Sequence, residues 1–125
     1  MKQTVTAIAT VLNEADSLDA LLASLASQTR APDQVVLVDG GSTDGTWERL
    51  RDYAGPLPLT AVSLPGANIS QGRNAAIAAA RGPLIAVADA GVRLEPDWLA
   101  HLTAPFAADA PPDVVGGFFD ADPRS

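Results

Sequence analysis

Short apolar runs alternate along the chain with stretches in which apolar residues recur at helical spacing. Residues 5–12 (VTAIATVL) are apolar enough for a strand covered on both faces. Asn13 stands where a helix cap belongs, with Asp16 in the first turn. Leu18, Leu21, Leu22 and Leu25 then recur on one helical face, which must pack on the sheet. Pro32-Asp33 breaks the chain, and residues 34–38 (QVVLV) read as a second strand. It runs into Asp39-Gly40-Gly41-Ser42-Thr43-Asp44-Gly45, a turn that delivers the chain into a helix over residues 47–53. Residues 57–64 form a weaker third strand, whose prolines Pro56, Pro58 and Pro65 suit a sheet edge. Ser70 is expected to cap a helix through Ala80, stopped by Arg81-Gly82-Pro83. Residues 84–88 (LIAVA) are a fourth strand, ending at Asp89, and Pro96 opens a helix carrying Trp98, Leu99, Leu102 and Phe106. Residues 114–119 (VVGGFF) read as a fifth strand. This alternation predicts an α/β fold, a three-layer sandwich around a mostly parallel sheet with right-handed crossovers.

Composition narrows the function classes. A length of 125 residues fits one domain over residues 1–125. The net charge of −7 argues against binding a phosphate backbone, so no nucleic-acid partner is expected. With no cysteine and the single histidine His101, disulfides, thiolate metal sites and multi-histidine metal sites are excluded. No apolar run approaches the roughly 20 residues that span a bilayer, so no membrane segment is expected. The apolar N-terminal run stops at Asn13-Glu14 without a small-residue cleavage site, and is read as structure rather than as a signal peptide. The expected location is cytoplasmic.

In an open parallel sheet, ligands bind beyond the carboxyl ends of the strands. Three features converge there: Leu12-Asn13-Glu14, the stretch from Asp39 to Gly45, and Asp89-Ala90-Gly91. An aspartate closing an apolar strand is poorly explained by packing, and it can accept hydrogen bonds from a base N–H or from ribose hydroxyls. The plainer reading is that Asp39 begins a glycine-rich turn and Asp44 caps a helix; spacing alone leaves both open. A G-x-x-x-x-G-K-[ST] loop is absent, and Gly40, Gly41 and Gly45 make no G-x-G-x-x-G after the first strand, so the two commonest nucleotide-binding motifs are set aside. His101 and Arg93 read as surface residues, and Trp47 as part of the core.

The ordered set of motifs resembles the opening of the family 2 glycosyltransferases. The residues that carry the resemblance are Asn13-Glu14 after the first strand, Ser24-Leu25…Gln28 at the end of the first helix, Asp39…Ser42…Asp44-Gly45-Thr46 after the second strand, and Gly72-Arg73-Asn74-Ala75 later. The family's Asp-x-Asp falls on Asp89-Ala90-Gly91. The resemblance implies the GT-A fold of nucleotide-diphospho-sugar transferases, in a bacterial protein. It implies donor contacts by Thr10, Leu12, Asn13, Glu14, Asp39, Ser42, Asp44, Arg73, Asn74 and Asp89, with Asp39 accepting the uracil N3–H. It also implies a divalent cation, Mn²⁺ or Mg²⁺, held by Asp89. Gly91 replaces the second aspartate of that motif, and hard cations want oxygen ligands. Asp120-Ala121-Asp122 reads as a solvated tail instead of a substitute.

The implied function is transfer of a sugar from a nucleotide-diphosphate sugar, UDP-linked, to an acceptor hydroxyl of a saccharide, lipid-linked or small molecule, with inversion. This chain would supply donor binding and no catalytic residue, since in family members the acceptor-binding half with the base follows the region matched here; that half could bring the protein to a membrane. The alternative is a non-catalytic nucleotide or nucleotide-sugar binding module. A sugar-phosphate nucleotidylyltransferase would carry a glycine-rich basic loop after the first strand, where this chain has Leu12-Asn13-Glu14.

Overall fold

A computed structural model describes residues 4–88 and 94–107. The elements are β1 (Val5–Val11), α1 (Ala15–Ala26), β2 (Gln34–Asp39), α2 (Thr46–Arg51), β3 (Leu59–Ser63), α3 (Ile69–Ala79), β4 (Leu84–Val87) and α4 (Trp98–Thr103), followed by a 3₁₀ turn at Ala104–Ala107. Among the described residues the sheet has four strands in the order β3-β2-β1-β4, and every pairing is parallel. β3 lies at an edge, where its flanking prolines cost no ladder bonds.

The sheet divides the core by strand parity. Ala7, Ala9 and Val11 of β1 and Val35 and Leu37 of β2 face α1, meeting Leu18, Leu21, Leu22 and Leu25. Each such leucine contributes on the order of 1.5–3 kcal/mol on burial. Ile8, Val36 and Val38 face the other way, onto Ala76 of α3. α4 closes the β4 side through Leu99, which packs with Val5 and Ala86. These three layers are those expected from the alternation.

Several boundaries differ from the sequence expectations. β1 stops at Val11, leaving Leu12 54 % exposed at the strand mouth, and β2 continues through Asp39. The cap of α3 is Asn68 and not Ser70: the Asn68 side chain accepts the Gln71 N–H while the Gln71 side chain accepts the Asn68 N–H. This reciprocal box satisfies two donors at once, which a serine two residues later cannot do. α4 begins at Trp98, after Asp97, so Pro96 lies before the helix instead of opening it. Asn13 does not cap α1; Glu14 holds that position without a side-chain bond. The expected fifth strand and the Asp89-Ala90-Gly91 stretch lie outside the described residues, as do Arg93, Asp120 and Asp122.

Two buried glutamines fasten helices to their neighbours. Gln34 accepts the Arg81 N–H and donates to the Ala79 carbonyl, tying the end of α3 to β2. Gln28, at the end of α1, donates to the Glu95 carbonyl and accepts the Leu99 N–H, so it holds the start of α4.

Candidate functional site

The parallel register places Val11 beside Asp39, and Asp39 beside Ser63, so the loops after β1, β2 and β3 emerge together. The Gly40 N–H donates to the Val11 carbonyl at 3.0 Å, and the Gly66 N–H to the Gly40 carbonyl at 3.0 Å. Asn13 has φ 53, a left-handed conformation that asparagine tolerates better than most residues. In that conformation its Oδ1 accepts the Thr43 N–H at 2.8 Å and its own N–H donates to Ser42 Oγ at 2.8 Å. The turn after β1 is thereby sewn to the loop after β2.

Asp39 is 1 % exposed. Its Oδ1 accepts the Gly41 and Ser42 N–H groups, each at 2.8 Å, with Gly41 at φ 112 completing the tight turn. Its Oδ2 is buried and has no hydrogen-bond partner among the described residues. A buried acceptor without a donor costs free energy that an incoming N–H can recover.

Asp44 is used differently. Its Oδ1 accepts the Thr46 hydroxyl at 2.5 Å and the Thr46 N–H at 3.1 Å, while its Oδ2 accepts the Ala15 N–H at 3.1 Å. The Thr46 hydroxyl holds the Asp44 carboxyl below the ordinary carboxylate value, with the Ala15 and Thr46 amides acting in the same direction. Thr46 is fully buried, and its Oγ1 also accepts the Glu14 N–H at 2.9 Å. The plain reading of both aspartates therefore describes part of what they do. Asp39 does open a turn, but the N-cap of α2 is Gly45 without a side-chain bond, and Asp44 instead accepts an amide at the start of α1. Of the two aspartates only Asp39 keeps an oxygen unspent.

The remaining expected contacts spread over the same edge. Thr10 is half-buried near the end of β1, and Glu14 accepts the Ser17 hydroxyl at 2.7 Å. Arg73 and Asn74 are exposed on α3, and Arg73 forms no ion pair among the described residues. Gly72, just before Arg73, is buried against Thr10 and Val38. Asp89 lies outside the described residues. His101 is exposed on α4, and Trp47 packs against the main core, as expected for both. A cleft lined by Trp47, Tyr53, Leu57 and Leu59 involves none of the candidate site residues.

Thr46 and Gly72 stand in the motifs without an assigned role. For Thr46 the available signal was a threonine at the start of an amphipathic helix, directly after Asp-Gly. For Gly72 it was a glycine inside a helical stretch, which is costly unless something packs closely there.

The model of glycosyl transferase family 2 matches residues 6–124. The chain belongs to glycosyl transferase family 2. Validoxylamine A glucosyltransferase of Streptomyces hygroscopicus subsp. limoneus is 37 % identical over 113 residues, which are 86 % of this chain and 25 % of that protein. The mannosyltransferase PcManGT of Pyrobaculum calidifontis, solved with GDP-Man and Mn²⁺, superposes with a TM-score of 0.79 at 30 % identity, covering 87 % of this chain and 34 % of that one. S. aureus TarS 1–349 in complex with UDP-GlcNAc superposes with a TM-score of 0.74 at 26 % identity, covering 83 % and 31 %. The chain thus spans about a quarter of the curated relatives it matches. The expected GT-A fold is borne out by these neighbours.

The Mn²⁺ of PcManGT shows that a divalent cation accompanies the nucleotide sugar in one member of this structural group. Among the described residues of this chain, no group of three or more His, Asp or Glu side chains could hold a metal ion. Among the described residues the candidate set therefore offers a buried carboxylate oxygen without a hydrogen-bond partner and an exposed guanidinium without an ion pair, and no cation cage. No helix among the described residues is long and apolar enough to cross a membrane.

Proposed function

We propose that this chain is the donor-binding part of an inverting family 2 glycosyltransferase that uses a UDP-linked sugar. The observation that carries the reading is Asp39, whose buried Oδ2 at the strand mouth lacks a donor among the described residues. Uracil N3–H is a donor of the right kind, and its bond to a carboxylate would contribute about 1.5–3 kcal/mol. In the reaction an acceptor hydroxyl oxygen forms a bond to the anomeric carbon as the bond from that carbon to the diphosphate oxygen breaks. The hydroxyl proton passes to a base that this reading assigns to no residue of the chain. Leu12, exposed beside Gly40, would flank the base, and Arg73 would lie toward the diphosphate. A divalent cation, Mn²⁺ or Mg²⁺, would meet the diphosphate with Asp89 as its protein ligand. A cytoplasmic site of action belongs to the same reading.

Titration calorimetry with UDP, ADP and GDP tests it. UDP should bind most tightly, and Asp39→Ala should remove that preference, a loss of about ten-fold or more by the energy above. Equal affinities for the three nucleotides in the parent chain would overturn the assignment.

A further inference from the structure

We infer that Thr46 and Asp44 are positioning residues that hold the Asp39 carboxylate in its binding orientation, and that neither contacts the donor. The inference rests on the donor-binding reading above.

The first observation is that both side chains already bond to other groups of the chain, Thr46 in the interior and Asp44 at the surface. Thr46 is fully buried, with its hydroxyl donating to Asp44 Oδ1 and accepting the Glu14 N–H. Both oxygens of Asp44 accept bonds, from Thr46 and from Ala15. Asp39, in contrast, commits only Oδ1.

The second is where those bonds go. The first N–H groups of a helix have no partner within it. Glu14 supplies no side-chain cap for α1, so the loop after β2 does: Thr46 takes the Glu14 N–H and Asp44 the Ala15 N–H, across 32 and 29 residues of chain. The loop is therefore pinned three times. Asp39 Oδ1 holds Gly41 and Ser42 at its start, Asn13 holds Ser42 and Thr43 at its middle, and the start of α1 holds Asp44 and Thr46 at its end. The amides that orient the Asp39 carboxylate thus belong to a loop whose far end is anchored by Thr46 and Asp44. Releasing that end leaves Gly41 and Ser42 held by Asp39 and Asn13 alone, which loosens them and with them the direction in which Asp39 Oδ2 points.

A double-mutant cycle isolates this effect from stability. UDP affinity is measured by calorimetry, well below each protein's Tm, for the parent, Asp39→Asn, Thr46→Val and the double variant. Hydrogen exchange of the Gly41 and Ser42 amides is followed by NMR in the parent and in Thr46→Val. If Thr46 positions Asp39, Asp39→Asn weakens UDP about ten-fold in the parent but only about two-fold in the Thr46→Val background. The two amides exchange faster in Thr46→Val, and Thr46→Ser, which keeps the hydroxyl, restores both readouts. Equal losses in the two backgrounds, or unchanged amide exchange, would overturn the positioning role. Faster exchange with no effect of Asp39→Asn in the parent would instead overturn the donor-site reading. Should Thr46→Val fail to fold, the same cycle with Asp44→Asn, an exposed position, carries the same outcomes.

Discussion

Gly72 of α3 lies so close over Thr10 of β1 that a Cβ on it would stand 2.8 Å from Thr10 Cγ2. α3 can approach the sheet at this point only because residue 72 has no side chain. Gly72→Ala gains about 1 kcal/mol of helix propensity and meets an overpacking cost of about 1–3 kcal/mol on a central strand. The expected net outcome is a stability loss of about 1 kcal/mol by urea denaturation. Thr10→Ser, which removes the clashing methyl, should recover it. A more stable Gly72→Ala protein would show that the contact is loose.

Gln28 holds the start of α4 from the end of α1, donating to the Glu95 carbonyl at 2.7 Å and accepting the Leu99 N–H at 2.9 Å. Gln28→Ala takes this partner from the buried Leu99 N–H, while the exposed Glu95 carbonyl keeps the Trp98 N–H, so its expected cost is about 1–3 kcal/mol. Thr29→Ala, at the exposed neighbouring position, should stay within about 0.5 kcal/mol of the parent. Urea midpoints of the two variants compare them directly, and similar values would refute the assigned role of Gln28.

The Asp44 carboxyl titrates below its ordinary value of 3.8, chiefly because the Thr46 hydroxyl donates to it. A depressed carboxyl stabilises the folded state above its unfolded pKa and loses that contribution as pH falls through its folded pKa. The stability gap between the parent and Asp44→Asn should therefore be widest near neutral pH and shrink as the solution is acidified below about 4. Urea midpoints at pH 7 and pH 3 measure the gap, and an NMR titration of the Asp44 carboxyl carbon gives its pKa. A value at or above 3.8 would contradict the role given to Thr46.

A diphosphate brings further negative charge to a chain already at −7. Like charges a few ångströms apart cost about 4 kcal/mol at an effective dielectric near 20, so a positive group must offset it. Gly91 offers no side-chain oxygen to a cation, and Arg73 is exposed without an ion pair among the described residues. Replacing Mn²⁺ by chelator should lower UDP affinity modestly, Arg73→Ala should lower it more, and Gly91→Asp should raise the metal dependence. The idea is lost if chelator abolishes UDP binding while Arg73→Ala leaves it unchanged.

The sequence by itself determined the parallel α/β alternation, the two central strands, and the edge of the sheet at which aspartates and glycines gather. Those features follow from apolar periodicity and from turn chemistry, which act over a few residues and are written locally. It also pointed to Asp39, because a carboxylate closing the apolar run Val35 to Val38 has no packing explanation. Tertiary structure decided what the neighbouring polar residues do. Asn13 looked like the cap of its own helix, yet it adopts a left-handed turn and bonds to Ser42 and Thr43, while the capping of α1 comes from Asp44 and Thr46. These partners stand 29 to 32 residues apart in the chain and meet only because β1 and β2 pair in register, Val11 beside Asp39. Local spacing carries no record of such pairing, so an acceptor can be read from the sequence while the donor it finds depends on how the strands are laid together.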